Sequence, residues 1–443
     1  MERGIIGRMA NGKARWVVLV VLAAAVLGAA VWWTLPRLPG RVRQYLPEPV
    51  AALGVPPLPA ALPAPTLPAA VPDLALIQTA PTLTPSPPVA PPAMPPPAAT
   101  ALPTPTLAPT AVPSPTPPPL PPVGRVDGLP IIPQKFNNCG PTNLTLVLNH
   151  YGVAVDQFDV AAVVRPTYED RNVSPGELVA YVNDQTALAA AHYVGGDLAL
   201  LRRLVAAGFP VIIEKGLEPD EATGWMGHYL TVYGYDDETR QLYVRDTYLG
   251  PWKGDGLAGY DDTERYWAQF NGAFVVVYPP ERAGELAELL GPTVADKAAM
   301  WLAAADRART AVTARPDDAF AWFNLGTSLT ALAAAGDAAL YETAAAAFDQ
   351  ARLLGLPPRM LWYQFAPYEA YLAVERNDDV LVLAEATLAS QGGRSVEETW
   401  LYQGYALRAK GDEAGAREAF ARAVDLNPTS PVGRAATAAL GGS

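Results

Sequence analysis

Residues 134–142 read Gln-Lys-Phe-Asn-Asn-Cys-Gly-Pro-Thr and contain the only cysteine of the 443-residue chain, Cys139. Apolar side chains then recur at the spacing of a helix face, at Leu144, Val147, Leu148 and Tyr151. Pro141 suits a first helical turn, where its missing N–H costs nothing. The sulfur is therefore predicted at or just before a helix N-terminus, whose partial positive charge favours thiolate over thiol.

A lone cysteine is most often a small core hydrophobe, so a nucleophilic role for Cys139 depends on other residues. His228 lies in residues 227–235, which alternate between apolar and polar as a strand does. Asp246 stands at the end of the next β-like run, within residues 242–247. Cysteine, then histidine and aspartate on neighbouring strands, is an order that a thiol–imidazole–carboxylate triad can use.

The blocks Gln-x4-Cys-Gly-Pro-Thr, His-Tyr-x-Thr-Val-x-Gly-Tyr-Asp and Val-x-Asp resemble the C39-like cysteine peptidases, distant relatives of papain. The resemblance covers about residues 127–280 and implies an α+β papain-like fold. It implies four site residues: Cys139 as nucleophile, His228 as general base, Asp246 as the carboxylate that orients the imidazole, and Gln134 as a side-chain donor to the oxyanion. One departure is visible, because Thr247 stands where the family often has proline.

The composition argues against several other classes of function. A formal charge of −12 and a pI near 4.8 leave no basic stripe for nucleic acid. One cysteine permits neither an intrachain disulfide nor a thiolate-rich zinc site, and no metal or cofactor is expected. The remaining histidines, His150 and His192, have no strand-borne carboxylate in an obvious partner position, so neither is expected to act chemically.

An uncharged run over residues 16–35 follows a short basic N-terminus, residues 1–15, and has tryptophan at both ends. Its length and flanking residues predict a transmembrane anchor. A cleaved signal peptide is the alternative, since Gly28-Ala29-Ala30 is a tolerable cleavage site. The anchor predicts a single-pass protein of the cell membrane with its catalytic and repeat domains outside the cytoplasm.

Residues 36–123 are dominated by proline, alanine and threonine, with leucine interspersed. This composition has no apolar periodicity and predicts a disordered, polyproline-like linker. The simpler interpretation of this stretch is a spacer that holds the folded domains clear of the membrane. Ligand motifs of the SH3 type and O-glycosylation are the other interpretations that the composition leaves open.

Residues 124–282 are predicted to form the C39-like peptidase domain. A capping box with proline at the first helical position opens a helix at 174–184, and Asp197 begins another. Strand-like runs follow at 209–214, 228–235, 241–246 and 272–278. Residues 216–227, between the first two of these strands, have two interpretations. They form either a lid or wall of the substrate site, or a surface crossover without a function of its own.

Helix formers dominate residues 295–443, where a repeat appears. The block that begins at Trp400 closely resembles a tetratricopeptide repeat (TPR), the block from Trp322 resembles another, and residues 362–390 form a degenerate repeat between them. TPR-like arrays often present a concave face to a peptide or protein, so a protein partner is expected there.

The combined interpretation is a membrane-anchored, outward-facing cysteine peptidase that acts on a peptide or protein through Cys139, His228 and Asp246. Acyl or amide transfer through the same thioester is a related reaction. An alternative from another class is a catalytically silent C39-like fold that serves as a membrane-tethered scaffold for peptide or protein binding.

Overall fold

The computed structural model describes residues 61–68, 72, 120–168, 170–171, 173–220, 223–250, 256–390 and 392–441. The predicted anchor at 16–35 and most of the predicted linker lie outside these residues. Among the helices of the described part, none is long and apolar enough to cross a membrane.

The first domain is built on an antiparallel sheet. Its strands are β1 (Val123–Arg125), β2 (Ala189–Tyr193), β3 (Val211–Leu217), β4 (Met226–Asp236), β5 (Gln241–Arg245), β6 (Leu257–Gly259) and β7 (Phe274–Tyr278). The order across the sheet is β2-β7-β3-β4-β5-β6, and β1 pairs with the far end of β4. The long β4 therefore holds the centre of the sheet together.

Helices cover both faces of this sheet. They are α1 (Cys139–His150), α2 (Gln157–Val164), α3 (Pro175–Gln185), α4 (Leu198–Ala206), α5 (Tyr260–Ala268) and α6 (Ala283–Ala295). Alternate side chains of each strand point to opposite faces, so Ile212 packs with α1–α3 while Val211 and Ile213 pack with α4 and α6. The sheet is thus the middle of three layers.

Most predicted elements of this domain are present, with shifted ends. The capping box of Ser174 and Glu177 opens α3, and Asp197 caps α4. The predicted strand at 209–214 is β3 and extends to Leu217, so only residues 218–225 separate β3 from β4. Strands β1, β2 and β6 were not predicted. Strands β1 and β6 are too short, and β2 is too rich in alanine, to show an apolar alternation.

The second domain is entirely helical. It comprises α7 (Lys297–Ala314), α8 (Ala319–Ala334), α9 (Leu340–Leu354), α10 (Ala366–Ala373), α11 (Asn377–Ala389), α12 (Glu397–Ala409), α13 (Glu413–Leu426) and α14 (Pro431–Gly441). Each helix packs against the next one in the chain. The predicted succession of an α+β domain and a helical domain is therefore confirmed, whereas the TPR-like assignment stays a prediction.

Two helix pairs show the same close contact. A Cβ atom on Gly326 of α8 would lie 2.7 Å from the ring of Phe348 on α9. A Cβ atom on Gly404 of α12 would lie 2.5 Å from the ring of Phe420 on α13. In each pair the glycine lets a phenylalanine ring rest directly on the backbone of the partner helix. These contacts lie at the equivalent positions of the two predicted repeats.

The helical domain lies directly against the sheet domain at several places. The shared apolar core includes Trp225 and Phe270 of the sheet domain. Side-chain amides cross the boundary in four hydrogen bonds among the described residues: Asn324 Nδ2 to Ala268 O (2.6 Å), Asn271 Nδ2 to Ser328 Oγ (2.9 Å), Gln364 Nε2 to Gln269 O (3.2 Å) and Asn427 Nδ2 to Val164 O (3.3 Å). The two domains therefore share one packed interface.

One part of the proline-rich region differs from the prediction of a free tether. Residues 61–68 lie against the helical domain, although they form neither helix nor strand. The side chain of Leu62 is 6% exposed and belongs to the core of that domain. The composition did not predict this contact, because a single buried leucine produces no periodic pattern.

Candidate active site

Cys139 is the first residue of α1, as the sequence predicts. Asn137, two residues before it, has a φ of 56°, so the chain turns sharply as it enters the helix. The side-chain amide of Asn143 donates to the Cys139 carbonyl oxygen (2.9 Å) within the first turn. Cys139 as a whole residue is half-buried, and its thiol lies at the positive end of the helix dipole.

His228 and Asp246 meet across the neighbouring strands β4 and β5. His228 lies near the start of β4 and is 1% exposed, and Asp246 directly follows β5. The Nε2–H of the imidazole donates to Asp246 Oδ1 at 3.0 Å. The same oxygen accepts the backbone N–H groups of Tyr248 (2.9 Å) and Leu249 (2.8 Å), which fix the carboxylate. The pair predicted from the sequence is thus brought together by the strand pairing.

Electrostatic coupling within the site favours the charged forms of these groups. Burial lowers the pKa of His228, but the charge and hydrogen bond of Asp246, together with the interaction with Cys139, outweigh it and raise that pKa to about 9. Burial raises the pKa of Asp246, yet the imidazolium and the two backbone donors bring it down to about 2. Burial also raises the pKa of Cys139, while interaction with the imidazolium of His228 lowers it by more, to a net value below the ordinary one.

The Nδ1 atom of His228 lies on the other side of the ring from Asp246 and has no well-aligned hydrogen bond within the described residues. Cys139 and His228 line the same small cavity, and His228 lowers the pKa of the thiol. Catalytic hydrogen bonds of this kind are often long or poorly aligned until substrate binds. The geometry therefore places the Cys139 thiol and the His228 imidazole as neighbours without a formed hydrogen bond.

Gln134 is held beside α1 through Thr247. The Gln134 N–H donates to the Thr247 carbonyl oxygen (2.9 Å), and the Thr247 hydroxyl donates to Gln134 Oε1 (2.8 Å). Thr247 in turn accepts a hydrogen bond from Asn143 Nδ2 (3.2 Å), and Asn143 Oδ1 accepts one from Thr231 (2.8 Å). Because Oε1 is engaged, the amide protons of Gln134 are the part of its side chain left to contact a ligand.

The sequence patterns did not indicate the roles of Thr247 and Asn143. Thr247 appeared only as a departure from the proline of the family pattern, and Asn143 lies among the apolar positions of α1. Asn143 is fully buried in the structure. A polar residue among the apolar positions of a helix was the signal that could have indicated its role, because a buried polar group needs a hydrogen-bond partner.

A residue from the helical domain closes the cavity around Cys139. Besides Cys139 and His228, the lining residues are Asn137, Gly140, Arg171, Val173, Glu214, Gly227, Tyr229 and Tyr363. A Cβ atom on Gly227 would lie 2.8 Å from the ring of Tyr363, so this close packing requires glycine. Trp225 packs edge-on against the same ring, with centroids 6.1 Å apart. The residues just before His228 therefore form a wall that the helical domain supports.

Glu214 is a buried acidic residue of this cavity that the sequence patterns did not indicate. It lies on β3 opposite Tyr229 of β4 and is 4% exposed. Burial, with the nearby charge of Cys139, raises its pKa well above the ordinary value. The raised pKa favours the neutral acid form of Glu214, which can donate a hydrogen bond into the cavity.

The other two histidines lie away from this cavity. His192 lies on β2, where burial and the charge of Lys297 lower its pKa to about 4 and keep it neutral. Burial also lowers the pKa of His150, at the end of α1. In the part of the chain that the structure describes, no group of three histidine, cysteine or acidic side chains is arranged to hold a metal ion.

A cysteine at a helix N-terminus beside a strand-borne histidine–carboxylate pair is the arrangement of thiol hydrolases. Residues 126–275 match the model of the Peptidase_C39 like family. No match was found among the curated proteins.

Three solved structures are similar to about a third of the chain. A protein described as a C39-like peptidase from Bacillus anthracis is 18% identical, with 35% of this chain and 96% of that chain covered and a TM-score of 0.28. A double glycine motif protease from an AMS/PCAT transporter, in complex with the leader peptide, is 19% identical, with 35% and 94% covered and a TM-score of 0.27. The peptidase domain of Streptococcus ComA, a bi-functional ABC transporter of a quorum sensing pathway, is 17% identical, with 34% and 99% covered and a TM-score of 0.27.

Proposed function

We propose that the chain is a cysteine peptidase in which Cys139, His228 and Asp246 form the catalytic triad and Gln134 stabilises the oxyanion. The observation that carries the proposal is the hydrogen bond of His228 to Asp246 at 3.0 Å, made by an imidazole that shares a cavity with Cys139. The family match over residues 126–275 supports a peptide or protein as substrate.

In the first half of the reaction, the Cys139 thiolate attacks the carbonyl carbon of the scissile peptide bond. The carbonyl oxygen becomes an oxyanion that the Gln134 side-chain amide and the Cys139 N–H can stabilise as donors. The imidazolium of His228 gives its proton to the leaving amine, and the C–N bond breaks. The products of this half are a free amine and a Cys139 thioester.

In the second half, neutral His228 takes a proton from water, and the hydroxide attacks the thioester carbonyl. The C–S bond breaks, which releases the carboxylic acid product and returns the thiolate beside the imidazolium. Asp246 keeps its negative charge throughout and holds the imidazole in one tautomer and orientation.

The test of the peptidase proposal combines peptide profiling with thiol labelling. Wild-type and Cys139→Ala proteins are incubated with a diverse peptide library, and cleavage by the wild type alone is expected. Cys139 of the wild type is expected to react with iodoacetamide at a lower pH than a free thiol, and His228→Ala should remove that advantage. If the labelling profile matches a free thiol and His228→Ala changes nothing, the peptidase proposal fails and the catalytically silent scaffold is the better account.

We further propose that residues 16–35 anchor the protein in the cell membrane with both folded domains outside the cytoplasm. The proposal rests on the uncharged run, its flanking basic residues and the proline-rich stretch that follows. Added protease should degrade the folded domains on intact cells, and the cell-associated protein should keep residues 1–35. Protection of both domains until the cells are opened would reverse the orientation.

We also propose that the TPR-like domain binds a protein or peptide partner, in keeping with the repeats predicted for residues 295–443. The paired contacts of Gly326 with Phe348 and Gly404 with Phe420 support the repeat character of this domain. Capture of the same partner by the full chain and by a chain that ends at residue 294 would contradict this role.

A further inference from the structure

A short segment of the proline-rich region is seated on the helical domain. Leu62 inserts its side chain into the apolar core of that domain and is 6% exposed. Its backbone N–H donates to the carbonyl oxygen of Leu356, just after α9, at 2.9 Å. The preceding Ala61 packs near Gly355 at the end of the same helix. One leucine therefore anchors the segment both by burial and by a backbone hydrogen bond.

Two charged side chains of the helical domain bind the segment directly. Arg352 of α9 donates from Nε to the Pro63 carbonyl oxygen and from Nη2 to that of Ala64, both at 2.8 Å. Asp379 of α11 accepts the Thr66 backbone N–H (2.9 Å) and the Thr66 hydroxyl (2.8 Å). We name the surface formed by Arg352, Leu356 and Asp379 the docking groove.

The docking groove contains a buried ion pair between Arg352 and Asp379, and Asp379 also pairs with Arg376 at 2.7 Å. Arg352 Nη1 lies 2.7 Å from Asp379 Oδ1, and the two side chains are 2% and 0% exposed. A buried ion pair is costly unless its remaining donors and acceptors are satisfied. The segment satisfies the Nε and Nη2 donors of Arg352 and adds two donors to Asp379. The groove is thus constructed to receive two carbonyl groups and a hydroxyl at a fixed spacing.

The bound sequence suits this chemistry. Pro63 and Pro65 have no N–H to leave unpaired, and proline restricts the chain to extended conformations that need little ordering on binding. Ala64, the fourth residue of the stretch 61–67, is exposed and contributes its carbonyl oxygen. The groove therefore recognises a leucine that is followed by a proline, and a threonine four residues after that leucine. The residue two positions after the leucine can vary.

The same pattern occurs a second time in the linker. Residues 61–67 read Ala-Leu-Pro-Ala-Pro-Thr-Leu, and residues 101–107 read Ala-Leu-Pro-Thr-Pro-Thr-Leu. The two differ only at the fourth position, where Ala64 of the first stretch is exposed. In the sequence, Leu102 and Thr106 correspond to Leu62 and Thr66, the two residues of the first stretch whose side chains contact the groove. Residues 101–107 lie outside the described residues.

We propose that the docking groove is a binding site for the motif Ala-Leu-Pro-x-Pro-Thr-Leu and that residues 101–107 are a second ligand, which exchanges with residues 61–67. The binding does not depend on the proposed peptidase activity. The effect of the exchange on the distance between the membrane and the folded domains rests on the proposed anchor. Ala61 lies 26 positions after Leu35, and Ala101 lies 66 positions after it. At about 3.1 Å per residue, the exchange would extend the reach from the membrane from about 80 Å to about 200 Å.

Peptide binding to the full chain in detergent tests the recognition. Leu62→Asp with Thr66→Val weakens the resident segment, and circular dichroism checks the fold. Labelled peptides 60–69 and 100–109 should bind this variant with dissociation constants within about tenfold of each other. The chain offers a matched control in peptide 76–85, which keeps Pro-Thr-Leu at 81–83 but has Gln78 at the position of the buried leucine. Peptide 76–85 should bind at least about tenfold more weakly.

Thr106→Val in peptide 100–109 removes only the hydroxyl that Asp379 would accept, and it should weaken binding several-fold. Binding of 100–109 no tighter than that of 76–85 would overturn the proposal. If the double variant does not fold, the wild-type chain with a photoreactive residue at position 62 replaces it. Excess peptide 100–109 should then reduce the cross-links from position 62 to α9 and α11, and no reduction would overturn the proposal.

Exchange within one chain has its own test. A photoreactive residue at position 102 of the full chain should cross-link to α9 and α11, more strongly when Leu62→Asp and Thr66→Val are present. The yield should not change with protein concentration. Cross-links that join two chains and increase with concentration would assign the motif to a second copy and overturn the exchange within the chain.

Discussion

Thr247 fixes both the backbone and the side chain of Gln134. It accepts the Gln134 N–H at its carbonyl oxygen and donates its hydroxyl to Gln134 Oε1, at 2.9 and 2.8 Å. The residue that departs from the family's usual proline is thus the one that orients the proposed oxyanion donor. A proline would keep the carbonyl but would lack the hydroxyl.

Thr247→Val is expected to lower kcat about 10-fold to 100-fold on a peptide substrate, since a misplaced oxyanion donor weakens transition-state binding. KM should change little, because the ground state does not need the donor. Steady-state kinetics on a profiled peptide measure both values. Thr247→Ser keeps the hydroxyl and serves as the control, with most of the activity retained. An equal loss in both variants would show that Thr247 matters only for packing.

The rate of peptide cleavage is expected to follow a bell-shaped pH profile. Activity rises as the Cys139 thiol ionises, at a pH below that of an ordinary thiol, and falls as His228 loses its proton near pH 9. Asp246→Asn removes the charge that raises the pKa of His228, so the alkaline limb should move to lower pH. Measurement of kcat/KM against pH in both proteins checks this, and an unmoved limb would contradict the assignment.

The His228–Asp246 pair should also stabilise the folded state within a defined pH range. His228 has a raised pKa, so its contribution is complete below about pH 6.5 and disappears as pH rises through about 9. Asp246 has a lowered pKa, so its contribution is complete above about pH 3.8 and disappears as pH falls through about 2. The Tm difference between wild type and Asp246→Asn should therefore be largest between pH 4 and 6.5 and should shrink above pH 9. A difference independent of pH would exclude this linkage.

Tyr363→Ala is expected to widen the cavity around Cys139. Its ring packs against Gly227 and Trp225, which lie one and three positions before His228 in the chain. Labelling of Cys139 by a bulky peptide-based electrophile should become several-fold faster, whereas labelling by iodoacetamide should change little. Tyr363→Phe keeps the ring and is the matched control. Equal acceleration with both reagents would indicate a change in thiol ionisation instead of access.

Gly326→Ala and Gly404→Ala are each expected to destabilise the protein by about 1–3 kcal/mol, because the new methyl group would press on the ring of Phe348 or Phe420. Gly284→Ala, in α6, is the control, since its Cβ would meet open space and alanine favours helix. Urea unfolding of the three variants gives the comparison. Equal stability of Gly326→Ala and Gly284→Ala would contradict the tight α8–α9 contact.

The sequence by itself determined the local features of the site. Pro141 and the apolar spacing after Cys139 gave the helix, and the capping box at Ser174 gave another, since such signals act within a few residues. Alternation in residues 227–235 placed His228 on a strand, although it left the strand ends uncertain by one or two positions. The anchor at 16–35 stays a prediction of composition alone.

Only the tertiary structure decided which distant residues meet. The hydrogen bonds of Thr247 with Gln134 and of Thr66 with Asp379 join positions 113 and 313 residues apart. The ring of Tyr363 reaches the cavity of Cys139 from a different domain. Contacts of this kind leave no periodic trace in the sequence, because they depend on how whole layers pack and on which buried polar groups need partners.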